Sequence, residues 1–403
     1  MDAGRLLTPG LNASNGSSRT LRRHRPACAK DPGLAFITLV AYAADQGGTT
    51  RVLNHLANGF AEAGHRVAVL YCTSAGLAPD LEDMPRPGVE SHALADRRQR
   101  SRALGQIVTF LSYRRWLRKH RPDIVLATGN NINWFAALGV ISAKTRTRYY
   151  IKTTNPIVRQ SDGPVAGRLR RAIYGLIFRR AAGVLTLSDA ETVLLRKQFP
   201  AARDRFHMVH NAYLTDAFAA PEREGRADGP ILLLGAGRLT AQKRFDRLLR
   251  AFAGANPRDA RLRIAGDGPQ RAALAALAAD LGVADRVEMI GYTPDMPAQM
   301  AAADLFVLSS DYEGLPAVVI EALASNLPVV STDCFASARE LLADLPGCAT
   351  VERSTEALSD ALRKWLEAPP PRTDLRRFAL PYTTANAVAS HLAAMDEGQD
   401  NHG

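Results

Sequence analysis

The chain alternates short apolar runs with longer segments in which apolar residues recur every three or four positions. Near its start, residues 34–41 predict a buried strand, residues 49–63 a helix with one apolar face, and residues 65–71 a second strand. Gly64 lies between the helix and the second strand, where glycine commonly ends a helix. A strand, a crossover helix and a second strand form a βαβ unit, which indicates a parallel sheet.

The same alternation continues along the chain with one interruption. Before it, the pattern predicts helices over 104–120 and 168–181, strands over 123–128 and 183–187, and a helix that begins at the capping pattern Ser188–Glu191. Residues 215–230 are rich in Ala, Pro, Glu, Arg and Gly, lack apolar periodicity, and predict a linker. After it, the predicted strands cover 231–235, 261–265, 286–290, 304–309 and 327–332, and the predicted helices cover 243–254, 270–281, 295–302, 316–325 and 383–395.

Two such runs predict an α/β fold with two Rossmann-like domains facing across a cleft, with ligands at the carboxyl ends of the strands. Residues 1–30 are polar and rich in Ser and Arg, and we expect them to form a disordered basic tail. The predicted domains are an N-terminal acceptor domain over 31–212, a linker over 213–230 and a C-terminal donor domain over 231–380. Residues 381–397 predict a final helix that crosses back to the N-terminal domain.

Charge divides the chain into two unlike halves within a formal net charge of +11. Residues 1–210 hold 32 Lys or Arg and 14 Asp or Glu, a net of +18, whereas residues 211–403 hold 19 and 26, a net of −7. A basic half favours an anionic partner, such as a membrane surface, a phosphorylated lipid or a nucleic acid. The alternative is an arginine-rich composition whose side chains are only solvated. Aromatic residues make up 6% of the chain, too few to predict a stacking surface for single-stranded nucleic acid.

Two features bear on the cellular compartment. The four cysteines form no CxxC pair and no Cys/His cluster with zinc spacing, so they predict free thiols in a reducing compartment. Basic residues precede the apolar run 33–44, as in a signal peptide, but Asp31 and Pro32 break the junction and the run is too short to span a bilayer. We therefore interpret this run as a buried first strand.

The most informative segment is 308–323, which reads LSSDYEGLPAVVIEAL and passes from a predicted strand into a predicted helix. Its glycine-containing turn offers free backbone N–H groups and the positive end of the helix dipole, which suits a diphosphate. Glu313 lies at the mouth of this helix, and Glu321 lies about two turns inside it. Carboxylates accept paired hydrogen bonds from vicinal hydroxyls, so one glutamate can hold a ribose and the other a sugar. On spacing alone, a capping acid and a surface acid remain the alternative.

Arg238 and Lys243 follow the predicted strand 231–235 across a strand-to-helix turn. Two cations at this spacing can converge on one anion. Fixed cations at such a turn can stabilise charge on a phosphate group without a metal. In isolation the spacing is more typical of a surface pair, and its position 70 residues before Glu313 favours a functional role.

Segment 308–323 resembles the EX7E signature of glycosyltransferase family 4, including its EGLP form and the Glu-Ala-Leu-Ala-Ser continuation. Segment 234–243 resembles the G-R-L-x-x-x-K element of the same family. The resemblance implies a retaining, metal-independent glycosyltransferase with the GT-B fold.

The resemblance also implies roles for individual residues. Glu321 is expected to bind the nucleotide ribose, and Glu313 to approach the donor sugar. Arg238 and Lys243 join Glu313 as the predicted catalytic residues. Backbone groups after Glu313 contact the donor phosphates in the family, and because Pro316 has no N–H, the predicted donor-binding positions are Gly314, Leu315, Ala317 and Val318.

Weaker matches extend the resemblance over most of the chain. Segment 262–269 resembles the family's I-x-G-x-G-P turn, segment 287–292 its V-x-F-x-G strand beside the base, and segment 46–51 its G-G loop beside the donor phosphate and acceptor. Segment 210–213 resembles the hinge N-G segment, with alanine in place of glycine. These matches add the predicted donor-binding positions Gly48, Gly237, Gly266, Gly268, Gly291 and Tyr292, and the acceptor-side candidate Gly47.

The N-terminal half departs from the family where many members place histidines beside the donor sugar. After the predicted strand 123–128 this chain has Asn130 and Asn131, and Asn155 ends the segment that matches a second His-Asn pair. We interpret these three amides as candidates for binding the donor sugar or the acceptor. None of the nine histidines lies at the expected place, so no catalytic histidine is assigned. This departure bears on the identity of the donor sugar more than on the reaction.

The predicted function is transfer of a hexose or N-acetylhexosamine from a nucleotide sugar to a lipid-linked or polysaccharide acceptor in cell-surface glycan synthesis. The EGLP form favours a UDP-sugar over a GDP-sugar. No Asp-x-Asp motif follows a strand, so we expect no metal, and no cofactor besides the nucleotide-sugar substrate. The expected partners are a nucleotide sugar and a glycan or lipid-linked acceptor, without nucleic acid. The expected location is the cytoplasm.

Basic residues interleave with Tyr113, Trp116 and Leu117 in segment 113–119, as in interfacial helices, and a second basic cluster lies at 168–171. They suggest that the first domain rests on the anionic inner face of the plasma membrane. The alternative is that Trp116 packs on the core while the arginines are solvated.

Other function classes remain as alternatives. A nucleotide-sugar epimerase of the same fold would release an isomeric sugar nucleotide without an acceptor. A non-enzymatic basic protein that binds nucleic acid is opposed by the scarce aromatics and the acidic second half. A phosphorylase would need a pyridoxal-phosphate lysine motif, which is not seen, and an inactive subunit is opposed by the four charged site residues.

Overall fold

The computed structural model describes residues 34–42, 48–73, 86–94, 102–154, 157, 163–215, 229–255, 259–371 and 373–400. The predicted basic tail, residues 216–228 of the predicted linker, Gly47 and Asn155 lie outside the described residues.

The N-terminal half is a seven-stranded sheet whose paired strands all run parallel. Its strands are β1 (Phe36–Ala41), β2 (Arg66–Tyr71), β3 (Val89–Ala93), β4 (Ile124–Thr128), β5 (Arg148–Lys152), β6 (Gly183–Thr186) and β7 (Phe206–Met208). Its helices are α1 (Gly48–Glu62), α2 (Arg102–His120), α3 (Asn130–Ala143), α4 (Pro164–Arg180) and α5 (Asp189–Gln198). The strand order is β3-β2-β1-β4-β5-β6-β7, so the direction of winding reverses between β1 and β4.

The C-terminal half repeats the plan with a six-stranded parallel sheet. Its strands are β8 (Ile231–Ala236), β9 (Ala260–Ala265), β10 (Val287–Gly291), β11 (Leu305–Leu308), β12 (Val329–Thr332) and β13 (Ala349–Val351). Its helices are α6 (Phe245–Ala255), α7 (Arg271–Asp280), α8 (Met296–Ala302), α9 (Ala317–Ala324), α10 (Ala338–Leu342) and α11 (Thr355–Glu367), and the last helix is α12 (Thr384–Asp400). The order β10-β9-β8-β11-β12-β13 places a second reversal between β8 and β11. Ligands of such sheets bind outside the carboxyl ends of the strands at these points.

Burial explains several of the strands that the sequence pattern predicted. The strands β1, β4, β6, β11 and β12 are buried along their whole length, and helices cover both faces of a parallel sheet, so these strands are mostly apolar. The strand β3 lies at the sheet edge, is partly exposed and reads VESHA, so it has no apolar run and was not predicted.

The predicted helices and strands that open both halves are confirmed, and several further elements were missed. The helix α3 reads NNINWFAALGVISA, which is apolar on most of its faces and therefore lacks the periodicity of an amphipathic helix. The capping prediction for α5 is confirmed, since Ser188 Oγ accepts from the Glu191 N–H at 3.1 Å. The Glu191 carboxylate in turn accepts from the Leu187 N–H at 2.8 Å.

The chain connects the two halves through two adjacent segments. The N–H groups of Tyr213 and Leu214 donate to the Tyr382 carbonyl at 3.0 and 3.1 Å, and the Thr384 N–H donates to the Leu214 carbonyl at 2.9 Å. After this crossing, α12 packs against α1. The Tyr150 hydroxyl on β5 donates to the Met395 carbonyl of α12 at 2.8 Å.

Candidate active site

The loop between β11 and α9 positions the first predicted glutamate, Glu313, which is 9% exposed. Its Oε1 accepts hydrogen bonds from Lys243 Nζ and from Ser310 Oγ, each at 2.7 Å. The Glu313 N–H donates to the Cys334 carbonyl at 2.7 Å. The structure thus brings together the lysine of one predicted motif and the glutamate of the other.

An arginine that was not predicted from the sequence holds the loop between β11 and α9 in place. Arg247 on α6 is buried, and its guanidinium donates to the Ser309 carbonyl and to Asp311 Oδ1, each at 2.7 Å. Arg244 also reaches Asp311, at 3.3 Å. Because Ser309 Oγ donates to the Lys243 carbonyl at 3.0 Å, the loops after β8 and β11 are held together on both sides. Arg247 lies four positions after Lys243 within the predicted helix 243–254, which was the available signal.

Glycines that were predicted to bind the donor lie where the loops after β8, β9 and β10 meet. The Gly237 N–H donates to the Ala265 carbonyl at 2.9 Å, and the Gly266 N–H donates to the Gly291 carbonyl at 2.7 Å. Gly266 has a φ of 138°, and a Cβ there would stand 2.0 Å from the Gly237 carbonyl oxygen. Only glycine permits this approach, and Gly268 belongs to the same loop.

The remaining side chains predicted near these loops differ in exposure. A Cβ at position 237 would lie 3.4 Å from Lys243 Cε, an ordinary contact distance, and the φ of 147° is what favours glycine there. Arg238 is exposed. Tyr292, which follows β10, is 66% exposed. Lys243 is therefore already engaged with the glutamate, whereas Arg238 and Tyr292 lie at the surface.

The start of α9 presents backbone donors beside Glu313. Pro316 precedes the helix with a φ of −74° and a ψ of 121°. Ala317 and Val318 occupy the first two helical positions, so their N–H groups have no acceptor within the helix. Gly314 and Leu315 lead into this turn. The predicted phosphate-binding positions thus surround the positive end of the α9 dipole.

Glu321 lies farther along α9 and is 2% exposed. Its carboxylate accepts a hydrogen bond from the Arg51 guanidinium and forms an ion pair with it. Arg51 belongs to α1, so this pair joins the two halves of the chain. Arg51 was not predicted as a site residue, although it is the last residue of segment 46–51, which was matched to the family's G-G loop.

The N-terminal half contributes fewer of the predicted side chains. Gly48 is the first residue of α1 and is exposed. Asn130 and Asn131 open α3 directly after β4, and their side chains lie outside the described part of the chain. Lys152, the last residue of β5, was not predicted as a site residue. It is 1% exposed, its Nζ donates to Asn211 Oδ1 at 2.8 Å, and burial lowers its pKa to about 7.

The residues proposed for membrane contact on α2 require correction. Tyr113 and Leu117 are fully buried, and Trp116 packs against the core and stacks on His120 with ring centroids 4.5 Å apart. Other large apolar side chains of α2, α3 and α4 are exposed instead: Ile107, Val108, Leu111, Trp134, Leu138, Ile141, Val165, Leu169, Ile173 and Leu176.

Two further observations concern metals and membranes. Within the described residues, no three His, Cys, Asp or Glu side chains are grouped so that they could hold a metal ion. No helix in that part of the chain has both the length and the apolar composition that crossing a bilayer demands.

The described cysteines Cys72, Cys334 and Cys348 are free thiols, and burial raises the pKa of Cys334 to about 12.

Both halves of the chain match models of known protein families. Residues 47–212 match the model described as a glycosyl transferase 4-like domain. Residues 216–380 match the model described as glycosyl transferases group 1. The two matched regions meet at the segment that connects the sheets.

Two curated relatives illustrate the similarity. The lipopolysaccharide core biosynthesis glycosyltransferase LpsE of Rhizobium meliloti is 28% identical over 289 residues, which are 71% of this chain and 76% of that protein. The N-acetylgalactosamine-N,N'-diacetylbacillosaminyl-diphospho-undecaprenol 4-alpha-N-acetylgalactosaminyltransferase of Campylobacter jejuni is 27% identical over 235 residues, covering 58% of this chain and 64% of that one. For two other matched relatives the chain spans 59% and 66% of their length.

Solved structures share the architecture. HepE of Anabaena, in complex with UDP-glucose, aligns with a TM-score of 0.65 and 19% sequence identity, over 91% of this chain and 99% of that one. At this identity the similarity concerns the fold. The predicted GT-B fold, with two parallel Rossmann-like sheets, is confirmed.

Proposed function

We propose, from the premise that this chain belongs to the group 1, family-4-like glycosyltransferases, that it transfers a hexose or N-acetylhexosamine from a nucleotide sugar with retention of configuration. The observation that carries the proposal is the contact of Lys243 with Glu313 at 2.7 Å, beside the start of α9. This arrangement brings together a fixed cation, a buried carboxylate and the backbone donors at the start of α9.

The donor diphosphate is proposed to bind the N–H groups of Leu315, Ala317 and Val318 at the positive end of α9. When the bond from the sugar C1 to the diphosphate oxygen breaks, the electron pair goes to that oxygen. Lys243, assisted by Arg238, stabilises the new charge, because a preorganised cation needs no reorganisation during the reaction.

The acceptor hydroxyl then bonds to C1 on the face that the diphosphate leaves, and its proton passes to the departing phosphate oxygen. Glu313 holds the Lys243 ammonium and faces the sugar. Glu321, deeper on α9, binds the ribose hydroxyls. No metal or cofactor is proposed, since protein cations and backbone donors supply the stabilisation of charge.

A UDP-sugar is the proposed donor. The EGLP form of the segment supports it, and the similar HepE structure contains UDP-glucose. The proposed acceptor is a lipid-linked or polysaccharide glycan. The Campylobacter jejuni relative has a diphospho-undecaprenol acceptor in its name, and the basic N-terminal half suits an anionic lipid.

The exposed apolar residues of α2, α3 and α4 are the proposed membrane-facing surface, here called the apolar face. The exposed residues of α4 include Leu169 and Leu176 together with Arg168, Arg171 and Arg180. Apolar side chains that insert among lipid headgroups, flanked by arginines that meet anionic phosphates, are typical of interfacial helices. This arrangement supports a peripheral position on the inner face of the plasma membrane.

The donor site is tested by thermal denaturation with UDP, GDP, ADP and their sugar conjugates, with and without EDTA. A ligand at 100 times its Kd stabilises the native state by about 2.7 kcal/mol. One nucleotide and its sugar conjugates should therefore raise Tm, and EDTA should have no effect. Glu321→Ala should abolish the shift, whereas Glu356→Ala, an exposed glutamate on α11, should retain it. If no nucleotide shifts the wild-type Tm, the proposed donor site is wrong.

A further inference from the structure

A line of three buried polar side chains joins β5 to the loop before α9. Lys152 Nζ donates to Asn211 Oδ1 at 2.8 Å, and Asn211 Nδ2 donates to the Tyr213 hydroxyl oxygen at 2.8 Å. The Tyr213 hydroxyl donates to the Leu315 carbonyl at 2.5 Å. Lys152, Asn211 and Tyr213 are 1%, 5% and 6% exposed, and we call these three residues the relay.

The relay has a fixed direction, because each group determines the orientation of the next. Lys152 Nζ donates to Asn211 Oδ1, so the oxygen of the Asn211 amide faces the lysine. The amide nitrogen therefore faces Tyr213 and donates to the phenol oxygen. The phenol hydrogen remains for the Leu315 carbonyl. Burial raises the pKa of Tyr213 far above neutral, so this hydrogen is retained.

The relay ends at the Leu315–Pro316 peptide, in which the carbonyl is the only group that can form a hydrogen bond. The Leu315 carbonyl belongs to the bond with Pro316, and proline has no N–H. A hydrogen bond to this carbonyl therefore sets the orientation of the peptide plane that enters α9. The N–H groups of Leu315 and Ala317 belong to the peptides directly before and after it in the chain.

We propose that Lys152, Asn211 and Tyr213 are positioning residues for the donor site, which set the direction of the backbone N–H groups that receive the diphosphate. This inference rests on the proposed function of the segment before α9. The relay starts on the N-terminal sheet, passes through the segment that connects the halves and ends in the C-terminal half. The geometry of the donor loop consequently depends on a strand of the other half.

An isosteric substitution separates this role from simple stabilisation. In Asn211→Asp the new carboxylate accepts from Lys152 and forms an ion pair, so the buried lysine keeps a partner. A carboxylate has no N–H, so the Tyr213 hydroxyl turns to donate to it and leaves the Leu315 carbonyl. Only the hydrogen bond between residues 211 and 213 is reversed, while the folded state keeps its packing.

The experiment measures donor KM, acceptor KM, kcat and Tm for wild type, Asn211→Asp and Tyr213→Phe. The matched control is Tyr149→Phe, because the buried Tyr149 hydroxyl donates to the Ile177 carbonyl at 2.9 Å within the N-terminal half. Both relay variants should raise donor KM about tenfold, equivalent to about 1.4 kcal/mol, with acceptor KM unchanged. Asn211→Asp should keep the wild-type Tm or exceed it, and Tyr149→Phe should lower Tm without changing donor KM.

The double variant Asn211→Asp/Tyr213→Phe tests whether the residues act as one unit. It should raise donor KM no more than either single variant, whereas a multiplied effect would overturn the relay. If wild type uses a nucleotide sugar and both single variants keep its donor KM, the positioning role is wrong and the proposed function stands. If wild type uses no nucleotide sugar, both are wrong.

Discussion

Two lysines near the carboxyl edges of the two sheets differ in their partners. Lys243 follows β8 in the C-terminal half, is partly exposed, and contacts the Glu313 carboxylate. Lys152 ends β5 in the N-terminal half, is fully buried, and contacts the neutral Asn211 amide. A cation with a carboxylate at an open cleft is suited to meet a charged substrate. A cation buried with an amide is suited to hold its surroundings in place.

This difference indicates that the two halves contribute to the proposed function in different ways. In the C-terminal half the proposed chemistry depends on loops that follow strands and contact one another through glycines and ion pairs. The N-terminal half contacts this site through the relay, which ends at the Leu315 carbonyl, and through Arg51, which pairs directly with Glu321 on α9. Substitutions in the two halves should therefore affect different measurements.

The largest effect is expected from Lys243→Met. It removes the cation that stabilises charge on the departing diphosphate, and loss of one such preorganised group lowers kcat by about 10²–10³. Steady-state transfer measures this loss, and Lys364→Met, at an exposed position on α11, is the control. A Lys243→Met enzyme that retains wild-type kcat would remove the functional contrast between the two lysines.

Sequence alone predicted the part of the candidate site that neighbouring residues in the chain form. Glu313, Glu321 and the turn between them lie in one segment, so the resemblance of that segment to the family signature identified them as candidates. Arg247 and Lys152 could not be assigned, because their partners come from distant segments and only the folded chain brings them together.

The error on α2 has a simple geometric cause. Tyr113 and Leu117 are four positions apart, so they lie on one face of the helix, and that face is buried. Ile107 and Leu111 are also four apart and lie on another, exposed face. The interleaved arginines suggested an interface but could not indicate which apolar stripe faced outward.

The next effect concerns stability of the donor half. In Gly266→Ala the new Cβ would collide with the Gly237 carbonyl at a φ of 138°, which should cost about 2–4 kcal/mol from strain and overpacking combined. Gly282→Ala is the matched control, because Gly282 also has a positive φ, of 66°, but nothing stands within 4 Å of its Cβ. Denaturant unfolding measures both. Equal losses would show that the contact between the loops is not what demands glycine.

A smaller effect is expected at the apolar face. Leu169→Glu/Leu176→Glu replaces two exposed apolar side chains of α4 with acids, so binding to phosphatidylglycerol vesicles should weaken about 30-fold or more. Val193→Glu/Leu194→Glu on α5 is the control, since those side chains are also exposed. Vesicle sedimentation at low salt compares them. Equal binding by both variants, or no binding by wild type, would contradict the membrane-facing assignment.

The last effect is a pH dependence carried by Lys152. Burial lowers its pKa to about 7 in the folded chain, whereas in the unfolded chain it is about 10.4. Between these values the unfolded state binds the additional proton, so this lysine makes the fold more stable as pH rises from about 7 to about 10. Below that window the amine is charged in both states and its full burial cost is present. Burial also holds the pKa of the nearby His391 well below its ordinary value, so that histidine titrates outside the window.

The difference in unfolding free energy between wild type and Lys152→Met should therefore shift in favour of wild type across this range, measured by denaturant titration at several pH values. A difference that stays constant from pH 7 to 10 would mean that the Lys152 amine titrates alike in both states, and the contrast with Lys243 would then rest on geometry alone.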